Sequence, residues 1–429
     1  MAGVLHLLLL WLLVRVSEPR DYVGSGLDFG ASIERILPSV SHRANGSIFY
    51  GIMFDAGSTG TRVHIYTFMQ KESNRLPILD NEMFQSVKPG LSAYADTPEK
   101  AGDTVKQLLD VAKSTVPRVE WKRTPVMLKA TAGLRMLPPS KAHALLQEVQ
   151  DVFEDSPFYV PADSVSIMDG TSEGVLAWVS VNFLTGQLYP NTRKSVGILD
   201  LGGGSTQVTF LPKVSKTTKR FPPDYTASFS MFNTTYKLYT HSYSGNGIKA
   251  AQLAAIGALD SKGCTPKGKV FQSACLPKNY KGKISFGGLI YKVSGKPGGS
   301  TGYKSCYREM LKVVKGFIQE PDDMEDSWIY AFSYYFDHAV EAGLVEARGG
   351  AVQVRDFRGR AKEVCNKMSM YNPDYPFLCM DLTYITCLLK SGYGFEEETV
   401  LKLTKKLHNV EASWALGATL SYFEHFSIV

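Results

Sequence analysis

Two stretches of the chain repeat one unusual pattern. "YGIMFDAGSTGTRVHIYTF" covers residues 50–68, and "VGILDLGGGSTQVTF" covers 196–210. Each is an apolar strand, an aspartate, a turn rich in glycine and hydroxyls, and a second apolar strand. Asp55 and Asp200 align, each with glycine two positions on (Gly57, Gly202) and threonine six positions on (Thr61, Thr206). A hairpin needs only two to five turn residues, so a carboxylate, glycines and several hydroxyls exceed what turning demands. One such loop is weak evidence. Two with the same offsets indicate an internal repeat, hence two lobes of similar design facing one another.

The segments around the repeats alternate between strand and helix. "TPEKAGDTVKQLLDVAKSTV" and "KAHALLQEVQDVFED" carry apolar residues at helical spacing, including Val105, Leu108, Leu109, Val111 and Ala112 in the first. "TPVMLKATAGLRMLP" reads as strand, loop and helix start. "SVSIMDGTSEGVLAWVSVNFLTG" reads as strand, loop and helix, with Thr171 or Ser172 as N-cap and Gly186 as terminator. After the second repeat come mixed β and loop segments to about residue 305. Helices are expected over 306–318, "SWIYAFSYYFDHAVEAG", 357–368, 378–390, 396–407 and "EASWALGATLSYFEHF". The class is α/β with layered sheets and flanking helices. The expected division is a signal peptide at 1–18, a leader at 19–47, lobe I from 48–169 plus 412–429, and lobe II from 170–411.

The N-terminus points to export. "LHLLLLWLLV" is a ten-residue apolar core followed by "SEPRD", too short to span a bilayer and suited to a signal peptide. No later apolar run reaches membrane-spanning length, so no stable span is expected after signal removal. Asn45 and Asn233 open N-x-[ST] sequons. All six cysteines lie in the second half. Cys365 and Cys379 bracket a proline-rich loop, and Cys275 and Cys306 flank a Gly/Lys-rich excursion. The expected disulfides are therefore Cys275–Cys306 and Cys365–Cys379, with Cys264 and Cys387 free. No CxxC occurs, which disfavours zinc and redox readings.

The net charge of +6 is mild for 429 residues. Lysines crowd residues 262–296 without interleaved aromatics at base-stacking spacing, and with glycine and proline among them. This reads as a solvated loop region that steers small anions, with no nucleic acid as partner. "GCTPKGKV" (263–270) nearly matches a phosphate-binding P-loop, but Val270 replaces the metal-binding hydroxyl and no strand precedes it. No HExxH or GxGxxG is present.

Glycine-rich turns let backbone amides converge on an anion, because no Cβ obstructs the approach. Ser58, Thr59, Thr61, Ser205 and Thr206 add hydroxyl donors. Two facing loops suit a polyphosphate. Asp55 and Asp200, at strand ends, suit a divalent cation held through water, as Mg²⁺ prefers; as isolated residues they also fit Asx turns. Hydrolysis requires a base. Glu173 opens the helix after "SIMDGTS" and is the best candidate, although a carboxylate at a helix N-terminus is also favoured by the dipole. Thr131 and Gln207 could orient the water, or serve as turn residues. Among adjacent Tyr334, Tyr335 and Phe336, one suits a nucleobase pocket, and Tyr335 is taken as that contact; Trp414 is similar.

"FDAGSTGTR", "KATAGLR", "DGTSEGVLAW", "LDLGGGSTQ" and "WALGAT" resemble, in order, the five apyrase-conserved regions of the ectonucleoside triphosphate diphosphohydrolase family. The likeness covers about residues 48–425. "GSTGTR" and "NFLTGQL" look like its soluble, endoplasmic-reticulum nucleoside diphosphatase branch. The resemblance implies a two-lobed actin-like fold with the active site in the interlobe cleft, Ca²⁺ or Mg²⁺ dependence, and direct attack of water on the terminal phosphate. It implies Glu173 as catalytic base, with Thr131, Ser205 and Gln207 positioning the water. Asp55 and Asp200 would organise the metal, and Ser58, Thr59, Gly60, Gly203 and Gly204 would cradle phosphates. Substrates would be UDP, GDP and IDP. The setting would be the endoplasmic-reticulum lumen or the secreted fluid, where clearing UDP supports glycoprotein reglucosylation. The expected solution state is monomeric. Cys264 and Cys387 look like additions to the family's two-disulfide pattern. A nucleotide-switched chaperone-like protein and a sugar kinase are the alternatives on such a scaffold.

Overall fold

The computed structural model describes residues 46–425 apart from 72–75, 189–194, 213–220, 260–268, 300, 317, 319–320, 322–323, 325–327 and 369–373. The expected signal peptide, Asn45 and Cys264 lie outside the described residues.

The first half builds one sheet. Strands β1 (Ser47–Ala56), β2 (Thr61–Gln70) and β3 (Ile78–Val87) are followed by helix α1 (Pro98–Thr115) and β4 (Val126–Ala130). Short α2 (Ala132–Arg135), α3 (Pro139–Glu154), β5 (Val165–Ile167) and α4 (Gly170–Leu184) complete it. The strand order is β3-β2-β1-β4-β5. β1 pairs antiparallel with β2 and parallel with β4. Its residues alternate between faces. Ile52 and Phe54 pack with Val105, Leu109, Leu145 and Val149 of α1 and α3. Met53 faces the other way, into a cluster containing Trp178, Leu416 and Phe423.

The second half repeats the plan. β6 (Gly197–Leu201), β7 (Ser205–Phe210), β8 (Thr226–Met231), β9 (Thr234–Ser244) and α5 (Ile248–Ala255) come first. A small sheet of β10 (Val270–Ser273), β11 (Lys281–Phe286) and β12 (Leu289–Gly295) follows, then α6 (Tyr303–Val314), β13 (Ile329–Ser333) and α7 (Tyr334–Glu341). Next are β14 (Gly350–Gln353), α8 (Val354–Asn366), α9 (Leu378–Cys387) and β15 (Val400–Leu403). The hairpin β16 (Lys406–Leu407) and β17 (Val410–Glu411) and helix α10 (Ala415–His425) end the chain. The second large sheet has the order β14-β15-β13-β6-β7-β9-β8. Within it, β9-β7-β6-β13-β15 reproduces β3-β2-β1-β4-β5 in order and in strand direction. The sequence echo is thus a duplicated fold, the two-lobed actin-like arrangement.

Helices α4 and α10 pack together where the two sheets meet. α4 is apolar all round, as a helix enclosed by protein requires. Its cap is Asp169, whose Oδ1 accepts from the Ser172 amide at 2.9 Å and whose Oδ2 accepts from the Ser172 hydroxyl. The expected caps Thr171 and Ser172 are instead inside the first turn, because the carboxylate one residue before the helix reaches the free amides best. Gly186 adopts φ +70° just past the helix end, as expected.

Two expected helices are corrected. Residues 400–403 form a strand between β13 and β14 in the sheet, with Leu401 and Leu403 buried. "SWIYAFSYYFDHAVEAG" divides at Ser333 (φ +57°), with β13 before it and α7 after. Short continuous apolar runs fit a doubly covered parallel strand as well as a helix, and only sheet pairing decides. Both expected disulfides are present, Cys275–Cys306 and Cys365–Cys379, and Cys387 is free and buried. Asn233 is exposed at the β8–β9 turn, accessible as a sequon requires. No helix among the described residues is long and apolar enough to cross a membrane.

The α4–α10 contact needs glycine at 417. The Ser180 hydroxyl accepts from the Gly417 amide at 2.8 Å, and a Cβ there would overlap the Leu176 carbonyl. Gly417→Ala should lower unfolding stability by about 1–3 kcal/mol, the usual cost of overpacking. Denaturant titration checks this; an unchanged midpoint would contradict the packing described.

Candidate active site

The duplicated hairpins point their turns at one cleft of about 220 Å³. Asp55, Gly57, Ser58 and Thr59 line it from the β1–β2 turn, and Asp200, Gly202, Gly203, Gly204 and Ser205 from the β6–β7 turn. The turns nearly touch. A Cβ on Gly203 would lie 2.6 Å from Ser58 Oγ and 2.5 Å from the Thr59 methyl, so only glycine allows this approach. Thr131, between β4 and α2, and Glu173, in the first turn of α4, complete the wall.

Three buried carboxylates share this space, with the partly exposed Asp337 and Glu411 also in its lining. Asp55 is 6% exposed, Asp200 7% and Glu173 6%. Asp55 is opposite Arg62 in the β1–β2 register, and Arg62 Nη1 donates to its Oδ2 at 2.7 Å. Asp55 Oδ1 and Asp200 Oδ1 are buried without hydrogen-bond partners. Burial pushes the Asp200 carboxyl up to about 6; Asp55 adds to this, while a Ser333 hydrogen bond and Arg62 oppose it. Two orphaned carboxylate oxygens facing one cleft, with hydroxyls around them and no His or Cys in the lining, are an oxygen donor set. That set fits a hard divalent cation.

Glu173 is different. Arg135 at the end of α2 donates through Nη2 to Glu173 Oε2 at 2.6 Å and through Nη1 to the Met168 carbonyl at 2.6 Å. Its Nη2 is also 3.4 Å from Ser205 Oγ. Despite this ion pair, burial raises the Glu173 carboxyl to about 7; Arg135 pulls down, and Asp200 and Asp55 push up. Desolvation outweighs the guanidinium here, leaving a carboxyl that exchanges its proton near neutrality. That is the range a general base or acid requires.

Gln207 is 1% exposed and behind the wall. Its Nε2 donates to Ser205 Oγ at 2.9 Å and to Ser242 Oγ at 2.8 Å, so it aims the Ser205 hydroxyl. Gly60 is buried at the turn's base and does not line the cleft, because the tight turn directs Ser58 and Thr59 inward instead. Tyr335 is a clear correction. It is fully buried in the second lobe's core, whereas Tyr334 and Phe336 line the cleft. Successive residues on a helix point about 100° apart, and the start of α7 at Ser333 sets which ring faces inward. Trp414 also lines the cleft.

Arg135, Arg62, Phe84, Lys88 and Lys405 carried no sequence-based role, yet Arg135 holds Glu173 and the others line the cleft. Arg62 was legible only as a cross-strand partner of Asp55. Arg135 could have been found as the lone cation closing "KATAGLR".

A family model described as the GDA1/CD39 (nucleoside phosphatase) family matches residues 41–428. The chain is 57% identical to ectonucleoside triphosphate diphosphohydrolase 5 of Gallus gallus over 90% of each chain. It is 54% identical to nucleoside diphosphate phosphatase ENTPD5 of Homo sapiens, again over 90% of each. Human ectonucleoside triphosphate diphosphohydrolase 6 is 48% identical over 88% of this chain and 78% of that one. Among solved structures, a nucleoside triphosphate hydrolase from Neospora caninum superposes with a TM-score of 0.63 at 11% identity, covering 94% of this chain and 98% of that one, which shows the shared fold. With the duplicated sheets and the cleft between them, these matches place the chain in the GDA1/CD39 (nucleoside phosphatase) family.

Proposed function

We propose that this protein hydrolyses the terminal phosphate of nucleoside diphosphates, giving the monophosphate and inorganic phosphate. The observation that carries this reading is Glu173: a buried carboxyl titrating near neutrality, facing two carboxylates with orphaned oxygens across glycine-rich turns. The names of the relatives at 54–57% identity support diphosphates as the substrate class.

In this reading the turn amides, with Ser58, Thr59 and Gly203, hold the phosphates. Asp55 and Asp200 hold the divalent cation, Ca²⁺ or Mg²⁺, which neutralises phosphate charge when bound. Glu173 removes a proton from the attacking water. Ser205, aimed by Gln207, and Thr131 orient that water. Arg135 holds Glu173 in place and keeps its proton affinity from rising further. Tyr334 and Phe336 offer aromatic faces to the nucleoside.

A secretory-pathway setting is supported by the apolar N-terminal stretch, the exposed sequon at Asn233 and the two disulfides, which persist in oxidising compartments. Clearance of UDP from glucosyl transfer to glycoproteins, in the endoplasmic-reticulum lumen, is the physiological role proposed with it.

Glu173→Gln should lower kcat by about 10²–10⁴-fold while calorimetric UDP affinity stays within a few-fold; a loss under tenfold would remove Glu173 from the role of base. The base must be ionised, so kcat should fall as pH drops through the Glu173 range, at or below about 7. Arg135 lowers that proton affinity, so Arg135→Gln should move the acid limb to higher pH; a limb that stays put refutes the coupling. A phosphate-release panel over UDP, GDP, IDP, ADP, UTP and ATP should favour the first three. EDTA should abolish release, with recovery on adding Ca²⁺ or Mg²⁺, and metal-independent turnover would overturn the roles of Asp55 and Asp200.

A further inference from the structure

Behind the cleft-lining Tyr334 is a buried charged cluster with no part in the chemistry above. His338 is one helical turn further along α7 and 5% exposed. Its ring stacks on that of Tyr334, with centroids 5.3 Å apart and planes inclined by 18°. His338 Nδ1 is 2.7 Å from Glu341 Oε2. On the other side, Nε2 is 3.7 Å from Asp381 Oδ2 of α9 and has no hydrogen-bond partner. Asp381 is itself buried, and its Oδ1 accepts from Gln252 Nε2 of α5 at 2.5 Å. One contiguous path thus runs from the cleft through Tyr334, His338 and Asp381 to α5.

A histidine buried this deeply normally loses its proton. Burial does pull its pKa down, but Asp381 and Glu341 outweigh burial and Lys249, and the result lies above the ordinary histidine value. The ring is therefore held from both edges by carboxylates while its face supports Tyr334. α7 is only eight residues long and starts from the strained Ser333 (φ +57°), so its own hydrogen bonds fix it weakly. Side-chain anchors must supply the rest.

We propose that His338 is a positioning residue for nucleoside recognition: clamped between Glu341 and Asp381, it is the shelf that fixes the face Tyr334 presents to the nucleoside, and so it sets KM rather than kcat. This rests on the reading that the cleft takes a nucleoside diphosphate. The phosphate-binding turns and Glu173 are on other elements, and the hydrogen bond to Asp200 comes from Ser333, ahead of the helix, so His338 one turn further on acts on the face of Tyr334. The role needs a group that engages both carboxylates. Arginine can do so through its planar fork, and glutamine cannot do so with charge.

The test compares His338→Gln, His338→Arg, Asp381→Asn, Tyr334→Ala and the Tyr334→Ala/His338→Gln double variant, each first checked by thermal melting. Phosphate release from UDP gives KM and kcat, and inhibition by inorganic pyrophosphate reads the phosphate end alone. His338→Gln should raise KM for UDP roughly three- to tenfold, the scale of one aromatic pair. Its kcat should stay within about twofold, and pyrophosphate inhibition should be unchanged. Asp381→Asn should do the same, so the inference survives if His338→Gln fails to fold. His338→Arg should return KM to within about twofold of the native value. In the Tyr334→Ala background, His338→Gln should add nothing. Equal losses in kcat, weakened pyrophosphate inhibition, or additive effects with Tyr334→Ala would overturn the assignment. Calorimetric UDP binding reads the same series without turnover. A native protein that binds UDP but releases no phosphate would therefore sink the hydrolase reading and leave the His338 test intact.

Discussion

Mutual repulsion among three buried carboxylates governs this molecule. Asp55, Asp200 and Glu173 are each more than nine-tenths shielded from water and face one cleft. Desolvation, with like charge adding to it, favours the neutral forms of Asp200 and Glu173. The fold answers with two guanidinium groups, Arg62 on Asp55 and Arg135 on Glu173, and leaves one oxygen on each aspartate without a partner. Those two oxygens are donors of the type a hard divalent cation takes, and the raised Glu173 carboxyl is in the range a proton acceptor requires.

Bringing such groups together requires scaffolding that does not yield. The two sheets supply it by repeating one strand order, so that each places an aspartate at the end of its central strand. Helix α4 ties the halves together: it carries Glu173 at its N-terminus, is capped by Asp169, and packs along α10 through Gly417. Glu173 is therefore anchored by a helix that belongs to the most enclosed part of the protein. Tyr334 is held by the opposite strategy, a short helix beside a charged cluster.

Much of this was legible along the chain. The repeated Asp-x-Gly turns revealed the duplication and the two walls of the cleft because strand–turn–strand chemistry is local, and glycine and hydroxyls are interpretable where they stand. The disulfides Cys275–Cys306 and Cys365–Cys379 followed from short spacings around loops. The errors share one cause. Residues 400–403 and 329–333 are apolar runs whose state is chosen by pairing with distant strands. Tyr335 and Tyr334 exchange roles according to where one helix begins. Gln207 does not line the cleft itself and reaches it through Ser205, a contact that only the pairing of β7 and β9 around it makes visible.

The sequence by itself determined the duplicated α/β plan and the matching Asp-x-Gly turns at Asp55 and Asp200, since each copy is written in residues within a few positions of one another. Only the tertiary structure decided that Arg135 holds Glu173, that Arg62 occupies one side of Asp55, and that Tyr334 rather than Tyr335 faces the cleft. It alone placed His338 between Glu341 and Asp381. These are relations between side chains brought together by sheet order and helix phase. Charge and burial act through distance in space, and separation along the chain does not encode that distance.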